Sequence, residues 1–177
     1  PCIGLRIWNE AWNVRCVDGR GGGRIQRQRH LSERSGKPGG RQHQAAAVGF
    51  AAAAVETTLA ELYGPGRIRT LYNPYFASSD NLVSCWVARV EMQQDFLLLN
   101  GDTLFEAAVL EGLLAAPERP VTLAVSRKDR YDDDDMKVIG DGDRLVHVGK
   151  KLALDSVDAE SIGMMTFRGD GPRLFRD

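Results

Sequence analysis

The sequence lacks the features that mark disulfide-rich, membrane-spanning and secreted proteins. Its three cysteines, Cys2, Cys16 and Cys85, are odd in number, and their spacing matches neither a disulfide framework nor a zinc site. No apolar run approaches the ~18 residues that a membrane-spanning helix needs. No charged start leads into an apolar segment, which would be the pattern of a signal peptide. We therefore expect reduced thiols and a cytoplasmic protein without a membrane partner.

A strong charge of one sign is also missing when the chain is taken as a whole. The formal net charge is -1, which predicts no general attraction to nucleic acid. This average combines two unlike parts, because residues 1–48 contain nine Lys or Arg and three acids. The remaining residues contain 14 basic and 21 acidic side chains, so the two parts differ in composition as well as in charge.

Residues 1–48 show neither the period of a strand nor that of a helix, and they are rich in Arg, Gln and Gly. One interpretation is a flexible basic arm that binds phosphate or nucleic acid. The other is a segment foreign to the fold, such as an out-of-frame translation. We favour the second, because an α/β domain that begins with a helix at Ala51 lacks its usual first strand. The predicted domains are an atypical basic segment, 1–48, and a partial domain, 49–177.

The rest of the chain alternates between helical and strand-like patterns. Helical spacing covers 51–63, 81–92 and a segment from Thr103, whereas strands are predicted at 68–72, 96–99 and 121–125. This alternation predicts an α/β fold with a mainly parallel sheet. Short strands at 136–139, 144–148 and 162–167, with a GDGD turn between the first two, predict an antiparallel C-terminal addition. Trp86 and Phe105 fall on apolar helix faces, which predicts core positions.

Asp102 lies in the stretch FLLLNGDTLF, where an apolar run ends and a helix is predicted to begin. Helix capping would explain an acid at this place, because Asp is a favoured N-cap residue. However, Thr103 and Glu106 already have the spacing of a capping box, so capping does not need Asp102. Ligands of open parallel sheets gather beyond the carboxyl ends of the strands, where this carboxylate is expected. We therefore favour a functional role.

Five segments occur in the order and spacing of a known family: NPYFASSDNLVSCWVAR, FLLLNGDTLF, DDDDMKV, VGKKL and ESIGMMTF. Together they resemble the nucleotidyltransferases that activate phosphorylated alcohols, most closely the bacterial phosphocholine cytidylyltransferase-like family. The resemblance covers residues 67–168. It implies a Rossmann-like three-layer sandwich whose N-terminal strand and loop are missing here. It also implies that CTP and phosphocholine give CDP-choline and pyrophosphate with Mg2+ as cofactor.

The resemblance implies roles for five residues. Asp102 matches a metal-binding Asp, which suits Mg2+ because this hard cation prefers carboxylate oxygen. Lys150 matches a lysine that neutralises phosphate, and Asn81 falls near the nucleotide at a helix start. Glu160 matches a residue that lines the acceptor pocket, and Lys137 is a weaker candidate for phosphate. The simpler alternatives are a solvated Lys150, a plain helix-start Asn81, a surface turn at Glu160 and pairing of Lys137 with its acidic neighbours.

The four acids of 132–135 follow Tyr131, and the two features together could attract the ammonium of choline or of an amine. A solvated loop is the simpler interpretation of such an acidic run, and we favour it.

Two features of the resemblance have no counterpart in this sequence. The second metal-binding acid is absent, since neither Asp170 nor Asp177 matches its motif. The glycine-rich loop that would hold the triphosphate is also absent, because GRGGGRI (19–25) and GKPGG (36–40) have a different arrangement. We therefore expect an incomplete member whose own catalytic activity is in question.

Two rival functions stay open at this point, as does the oligomeric state. A glycosyltransferase of similar architecture would need a metal-binding Asp-x-Asp, whereas NGDT offers one acid. A nonenzymatic module would bind phosphate or nucleic acid through the basic arm, and steep salt dependence of binding would indicate it.

Overall fold

The computed structural model describes residues 12–16 and 44–177. The strands are β1 (Trp12–Cys16), β2 (Gln44–Val48), β3 (Ile68–Tyr72), β4 (Phe96–Asn100), β5 (Val121–Ser126), β6 (Lys137–Asp141), β7 (Arg144–Gly149) and β8 (Ala159–Phe167). The helices are α1 (Ala52–Tyr63), α2 (Asn81–Ala88), α3 (Ala107–Ala115) and α4 (Gly171–Arg176), with 3-10 turns at Arg89–Glu91 and Leu154–Ser156. None of the helices in these ranges is long and apolar enough to cross a membrane.

The strands form one mixed sheet in the order β3-β2-β1-β4-β8-β6-β7, and β5 also pairs with β8. β2 and β3 are parallel, while β1 is antiparallel to both β2 and β4. β8 is antiparallel to β4, β5 and β6. It follows that β2, β3, β4 and β5, the strands joined through helices, all run in one direction. The predicted α/β class is therefore confirmed, with antiparallel β1 and β8 lying among these strands.

Strand β2 changes the predicted start of the fold. Gln44–Val48 lies in the sheet parallel to β3, and Ala45 to Val48 are buried. The boundary predicted between residues 48 and 49 therefore has to move toward the N-terminus, and helix α1 does have a strand before it. β1 also lies within residues 1–48, the segment that we expected to be foreign to the fold. The glycine-rich stretches 19–25 and 36–40 lie outside the described residues.

Both faces of the sheet are covered, which gives the three layers that the resemblance implies. On one face Phe96 and Leu98 pack with Phe167, Cys85 of α2 and Phe175 of α4. The rings of Phe96 and Phe167 are stacked, with their centroids 4.5 Å apart. On the other face Leu97 packs with Met164 and with Leu113 of α3. Burying each large apolar side chain contributes about 2 to 3 kcal/mol, so strand β4 forms the centre of the core.

The prediction that Trp86 and Phe105 are core residues is wrong. Trp86 is 60% exposed, and the guanidinium of Arg89 lies 3.8 Å from its ring centroid. The buried face of α2 consists instead of small residues, Ser84, Cys85 and Ala88, which let the helix approach the sheet closely. Phe105 precedes the start of α3 and is 39% exposed.

The close approach of Gly171 to the β5 side of the sheet generates a stability prediction. A Cβ at Gly171 would overlap the carbonyl oxygen of Pro120 and would lie 2.8 Å from its carbonyl carbon. We expect Gly171→Ala to lower the free energy of unfolding by about 2 to 3 kcal/mol, because a backbone group has to move. Chemical denaturation followed by circular dichroism measures this difference.

Gly112 in α3 is the matched control, because a Cβ there would meet nothing within 4 Å. Gly112→Ala should raise the stability by about 0.5 to 1 kcal/mol, since alanine is the better residue in a helix. Equal effects of the two substitutions would contradict the packing described at Gly171.

Candidate functional site

Strand β8 has a gap in the pairing along one of its two edges. One edge pairs with β5 between Glu160 and Phe167. The other edge pairs with β4 through Met164–Phe167 and with β6 through Ala159 and Glu160. Ser161–Gly163 therefore lies between the end of β4 and the start of β6. We call this region, made of residues 100–103, 136–137 and 160–163, the notch.

The notch depends on a glycine in strand β8. Gly163 has a φ of +71°, and a Cβ on it would lie 2.8 Å from the Cβ of Asn100 and would overlap the Asn100 amide group. The pairing of β5 with β8 shifts in register between Leu123 and Val125, which is the signature of a bulge at this level. Asn100 Oδ1 is buried and has no hydrogen-bond partner among the described residues. The missing side chain of Gly163 therefore creates the room that Asn100 fills.

Asp102 lies in the turn that directly follows β4, and its side chain is exposed. The main-chain N–H of Thr103 donates to Asn100 O (3.3 Å), and the Thr103 hydroxyl donates to Ile162 O (2.9 Å). The predicted capping box is wrong, because α3 begins at Ala107 and its N-cap, Glu106, makes no side-chain capping bond. Thr103 instead attaches the turn that carries Asp102 to β8.

Lys137 is buried in the notch, with 2% of the residue exposed. Its ammonium donates to the main-chain oxygens of Asp132 (2.5 Å), Lys150 (2.9 Å) and Asp135 (3.5 Å). These bonds use the three N–H groups of the ammonium. A direct contact between Lys137 and phosphate, as predicted, conflicts with this arrangement. The alternative of pairing with acidic side chains is also wrong, because the acceptors are carbonyl groups.

Glu160 belongs to an ion cluster that the sequence did not predict. The ammonium of Lys128 lies 2.7 Å from Asp135 Oδ2 and 2.9 Å from Glu160 Oε2. The same ammonium is 5.7 Å from the ring centroid of Tyr131. Lys128 therefore occupies the position beside Tyr131 and Asp135 where the ammonium of choline or of an amine could have bound. In the sequence, the one indication of a role for Lys128 is that it lies two residues after the end of β5.

The ion cluster shifts two pKa values in opposite directions. The Lys128 ammonium, and after it the main-chain N–H of Asp132, hold the pKa of the Asp135 carboxyl at about 2, against an ordinary value of 3.8. Hydrogen bonds to Asp135 and then to Glu160 raise the pKa of Lys128 above its usual value. Asp135 and Lys128 therefore remain charged throughout the neutral range.

Lys150 follows β7 and points into solvent, with 52% of its side chain exposed. Its ammonium lies 3.5 Å from Asp134 Oδ1, whose side chain is fully exposed. An exposed pair of this kind contributes little to stability, because water competes for both charges. The structure therefore shows a solvated Lys150, and the role toward phosphate that the resemblance implies stays a prediction.

Asn81 is the first residue of α2 and is exposed. Asp80 is at the capping position before α2 but makes no side-chain capping bond. The preceding loop is held by Asn73, a residue that the sequence analysis did not single out. Asn73 is buried, and its Nδ2 donates to Ser84 Oγ (3.0 Å) and to Ser79 Oγ (3.3 Å).

The notch contains three of the five predicted site residues, Asp102, Lys137 and Glu160, and Lys150 is connected to it through its main-chain carbonyl. Asp102 is linked to β8 through Thr103, while Lys137 lies opposite Glu160 in the β6–β8 pairing and binds the carbonyl of Lys150. Asn81 lies apart from these contacts, at the end of α2 that follows the carboxyl end of β3. Because β3 and β4 run in the same direction, Asn81 and Asp102 lie at the same edge of the sheet.

The notch has two carboxylates, and because Glu160 is already paired with Lys128, Asp102 is the one that is open to a metal ion. Within 12–16 and 44–177, no three His, Cys, Asp or Glu side chains form a group that could hold a metal. Mg2+ is commonly bound by one or two carboxylates together with phosphate oxygens and water. The exposed Asp102 carboxylate therefore fits Mg2+ where a nucleotide supplies the other ligands.

A depression of about 370 Å³ lies elsewhere, between α1 and β3. Glu56, Leu59, Arg69 and Thr70 are among the residues that line it, and none of the predicted site residues does. The Thr70 hydroxyl already donates to Glu56 Oε1 (2.8 Å). We therefore place the candidate site at the notch.

Comparison with known proteins supports a nucleotidyltransferase fold. The inositol-1-phosphate CTP transferase of T. maritima superposes with a TM-score of 0.59 over 72% of this chain and 52% of that chain, at 21% identity. The CMP-5'-(3-aminopropyl)phosphonate synthase of Streptomyces rubellomurinus is 40% identical over 77 residues, which are 44% of this chain and 12% of the relative. No known family profile matches the chain. The names of both proteins contain a cytidine nucleotide, and neither contains phosphocholine.

The lowered pKa of Asp135 generates a prediction for stability against pH. Because folding lowers this pKa, the ion pair stabilises the fold above about pH 3.8 and this contribution is lost as the pH falls toward about 2. Asp135→Asn should therefore lower the melting temperature at neutral pH, and the difference from the wild type should shrink on acidification. Thermal denaturation followed by circular dichroism between about pH 2 and 8 measures it.

Asp133→Asn is the control, because Asp133 is exposed in the same loop. Its melting temperature should follow that of the wild type at every pH. A difference for Asp135→Asn that stays constant down to the acid end would be incompatible with the proposed ion pair.

Proposed function

We propose that this chain is part of a nucleotidyltransferase that transfers a cytidylyl group from CTP to a phospho-alcohol such as phosphocholine, with release of pyrophosphate. The observation that carries the proposal is the position of Asp102. This exposed carboxylate directly follows the central strand β4, and the Thr103–Ile162 hydrogen bond attaches its turn to β8. The carboxyl ends of codirectional strands are where α/β folds bind nucleotides.

The proposed reaction is an in-line displacement at the α-phosphorus of CTP. An oxygen of the acceptor phosphate forms a bond to this phosphorus, while the bond from the phosphorus to the bridging oxygen of pyrophosphate breaks. Such a reaction needs mainly positioning and neutralisation of charge. Lys150 would neutralise phosphate charge with its exposed ammonium. Asn81 would contact the nucleotide at the positive end of α2.

Mg2+ is the cofactor that we propose, with Asp102 as its protein ligand. When bound, the ion would neutralise charge on the phosphates and hold them in one orientation. The second acidic ligand of the resembling family has no counterpart among the described residues. We therefore propose that CTP binding survives in this chain even where turnover is weak.

The names of the two relatives support the proposed class of acceptor. Their names contain an inositol phosphate and an aminopropylphosphonate, so the shared feature is a phosphate or phosphonate on a small polar group. Phosphocholine is one member of this class, and we propose Glu160 as a residue that lines the pocket. The chain spans 52% of the length of one relative and 12% of that of the other. A cytoplasmic location without membrane or nucleic-acid partners remains our prediction.

The rival glycosyltransferase function is the weaker proposal, because the turn after β4 carries Asp102 as its single acid. The basic-arm module depends on residues 1–48, of which the structure describes 12–16 and 44–48, both as strands of the sheet. No observation at the notch favours either of these functions.

Asp102→Ala tests the proposed function through CTP binding. We expect the substitution to remove the Mg2+-dependent part of CTP affinity, a loss of about 10-fold or more, because the only carboxylate ligand is gone. Isothermal titration of CTP with and without Mg2+ measures this loss.

Asp143→Asn, in the exposed turn between β6 and β7, is the control and should bind CTP like the wild type. Identical titrations of wild type and Asp102→Ala in the presence of Mg2+ would remove the metal role. Absence of CTP binding to the wild type would remove the proposed function.

A further inference from the structure

We infer that Lys137 is a positioning residue that fixes the turn carrying Lys150 against the acidic loop 132–135. The expected consequence, that Lys150 binds phosphate from one fixed position, rests on the proposed function. The physical part of the inference, a buried ammonium that joins two loops, depends only on the structure.

The ammonium of Lys137 is a buried positive charge surrounded by main-chain oxygens. It is buried, and its hydrogen bonds in the described part of the chain all go to main-chain oxygens. Removing a charge from water is costly unless every donor finds an acceptor. Here each of the three N–H groups has one, so the charge is compensated only while both loops stay in place.

Lys137 provides most of the described polar contacts between the two loops. Lys137 joins the carbonyl of Asp132, five residues before it, to that of Lys150, thirteen residues after it. The other polar contact described between the loops is the exposed pair of Lys150 and Asp134, at 3.5 Å. Because such a pair contributes little, Lys137 is the main connection between the loops in the described structure.

The position of Lys137 in the sheet makes this connection rigid. Its Cα is opposite Gly149 of β7 and opposite Glu160 of β8, so strands pair with it on both sides. Because the main chain of Lys137 is held by both neighbouring strands, the position of its ammonium is also fixed. The hydrogen bond from this ammonium to Lys150 O therefore fixes the position of the turn that contains Lys150. The same anchor places the loop that contains Asp135 beside Glu160, where Lys128 binds both carboxylates.

Lys137→Met tests the connection, because methionine retains the length of the side chain and removes the ammonium. We expect amide hydrogen exchange at 132–135 and 149–152 to accelerate about 10-fold or more, while the amides of β4 and β8 keep their protection. Lys151→Met is the matched control, since Lys151 is exposed in the same turn and should change neither segment. Unchanged exchange in Lys137→Met would overturn the inference.

A variant that unfolds altogether is recognised by loss of protection in β4 and β8. In that case Lys137→Gln decides the question, because its amide keeps two donors without the charge. It should loosen the same two segments to a smaller extent. Protection equal to that of the wild type in Lys137→Gln would count against the inference.

CTP titration with Mg2+ separates positioning from direct contact. If Lys137 acts through Lys150, then Lys137→Met and Lys150→Met should each weaken CTP binding, and the double variant should be no weaker than Lys150→Met. Losses that multiply in the double variant would show that Lys137 has an effect of its own and would overturn the inference. If the wild type does not bind CTP, the proposed function fails, whereas the exchange measurements still decide the role of Lys137.

Discussion

The contact between Gly163 and Asn100 is the constraint on which the candidate site depends. A side chain at residue 163 would overlap Asn100, so β4 could not end where it does beside β8. Because the glycine adopts a positive φ, the strand can bulge here without steric strain. The bulge leaves Ile162 O free to accept the Thr103 hydroxyl, and this bond holds the turn that carries Asp102. One missing Cβ thus determines where the proposed metal ligand lies.

The charges around the notch divide into two groups with different surroundings. Lys137 and the cluster of Lys128, Asp135 and Glu160 are compensated by partners at hydrogen-bond distance, so they define the shape of the site. Asp102 and Lys150 are exposed and are held at most by weak contacts. Mg2+ bound to a triphosphate can accept a carboxylate ligand, and the phosphate oxygens can accept an ammonium. Asp102 and Lys150 are the exposed residues that offer these two groups, so we propose that they bind the nucleotide.

Local sequence patterns predicted the elements whose signals lie within a few residues. The hairpin of β6 and β7 follows from GDGD, where Gly142 has a φ of +58°. The turn at Asp102 was predicted because the apolar run Phe96–Leu99 ends just before it. Strand β2 was missed because QAAAV is mostly alanine, which is rare in strands, and tertiary burial between β1 and β3 overrides that preference. Thr103 was misassigned because its hydroxyl bonds to Ile162, 59 residues away in sequence. Lys128 was missed because one of its two partners, Glu160, belongs to a distant strand.

Nuclear magnetic resonance of the backbone amides during a titration with CTP and Mg2+ tests the location of the site most directly. If the notch binds the nucleotide, the largest shift changes fall on residues 100–103, 149–151 and 160–163, with smaller ones at the start of α2. Changes that cluster instead at the depression between α1 and β3, or an unchanged spectrum at saturating nucleotide, would contradict the assignment of this edge of the sheet as the nucleotide site.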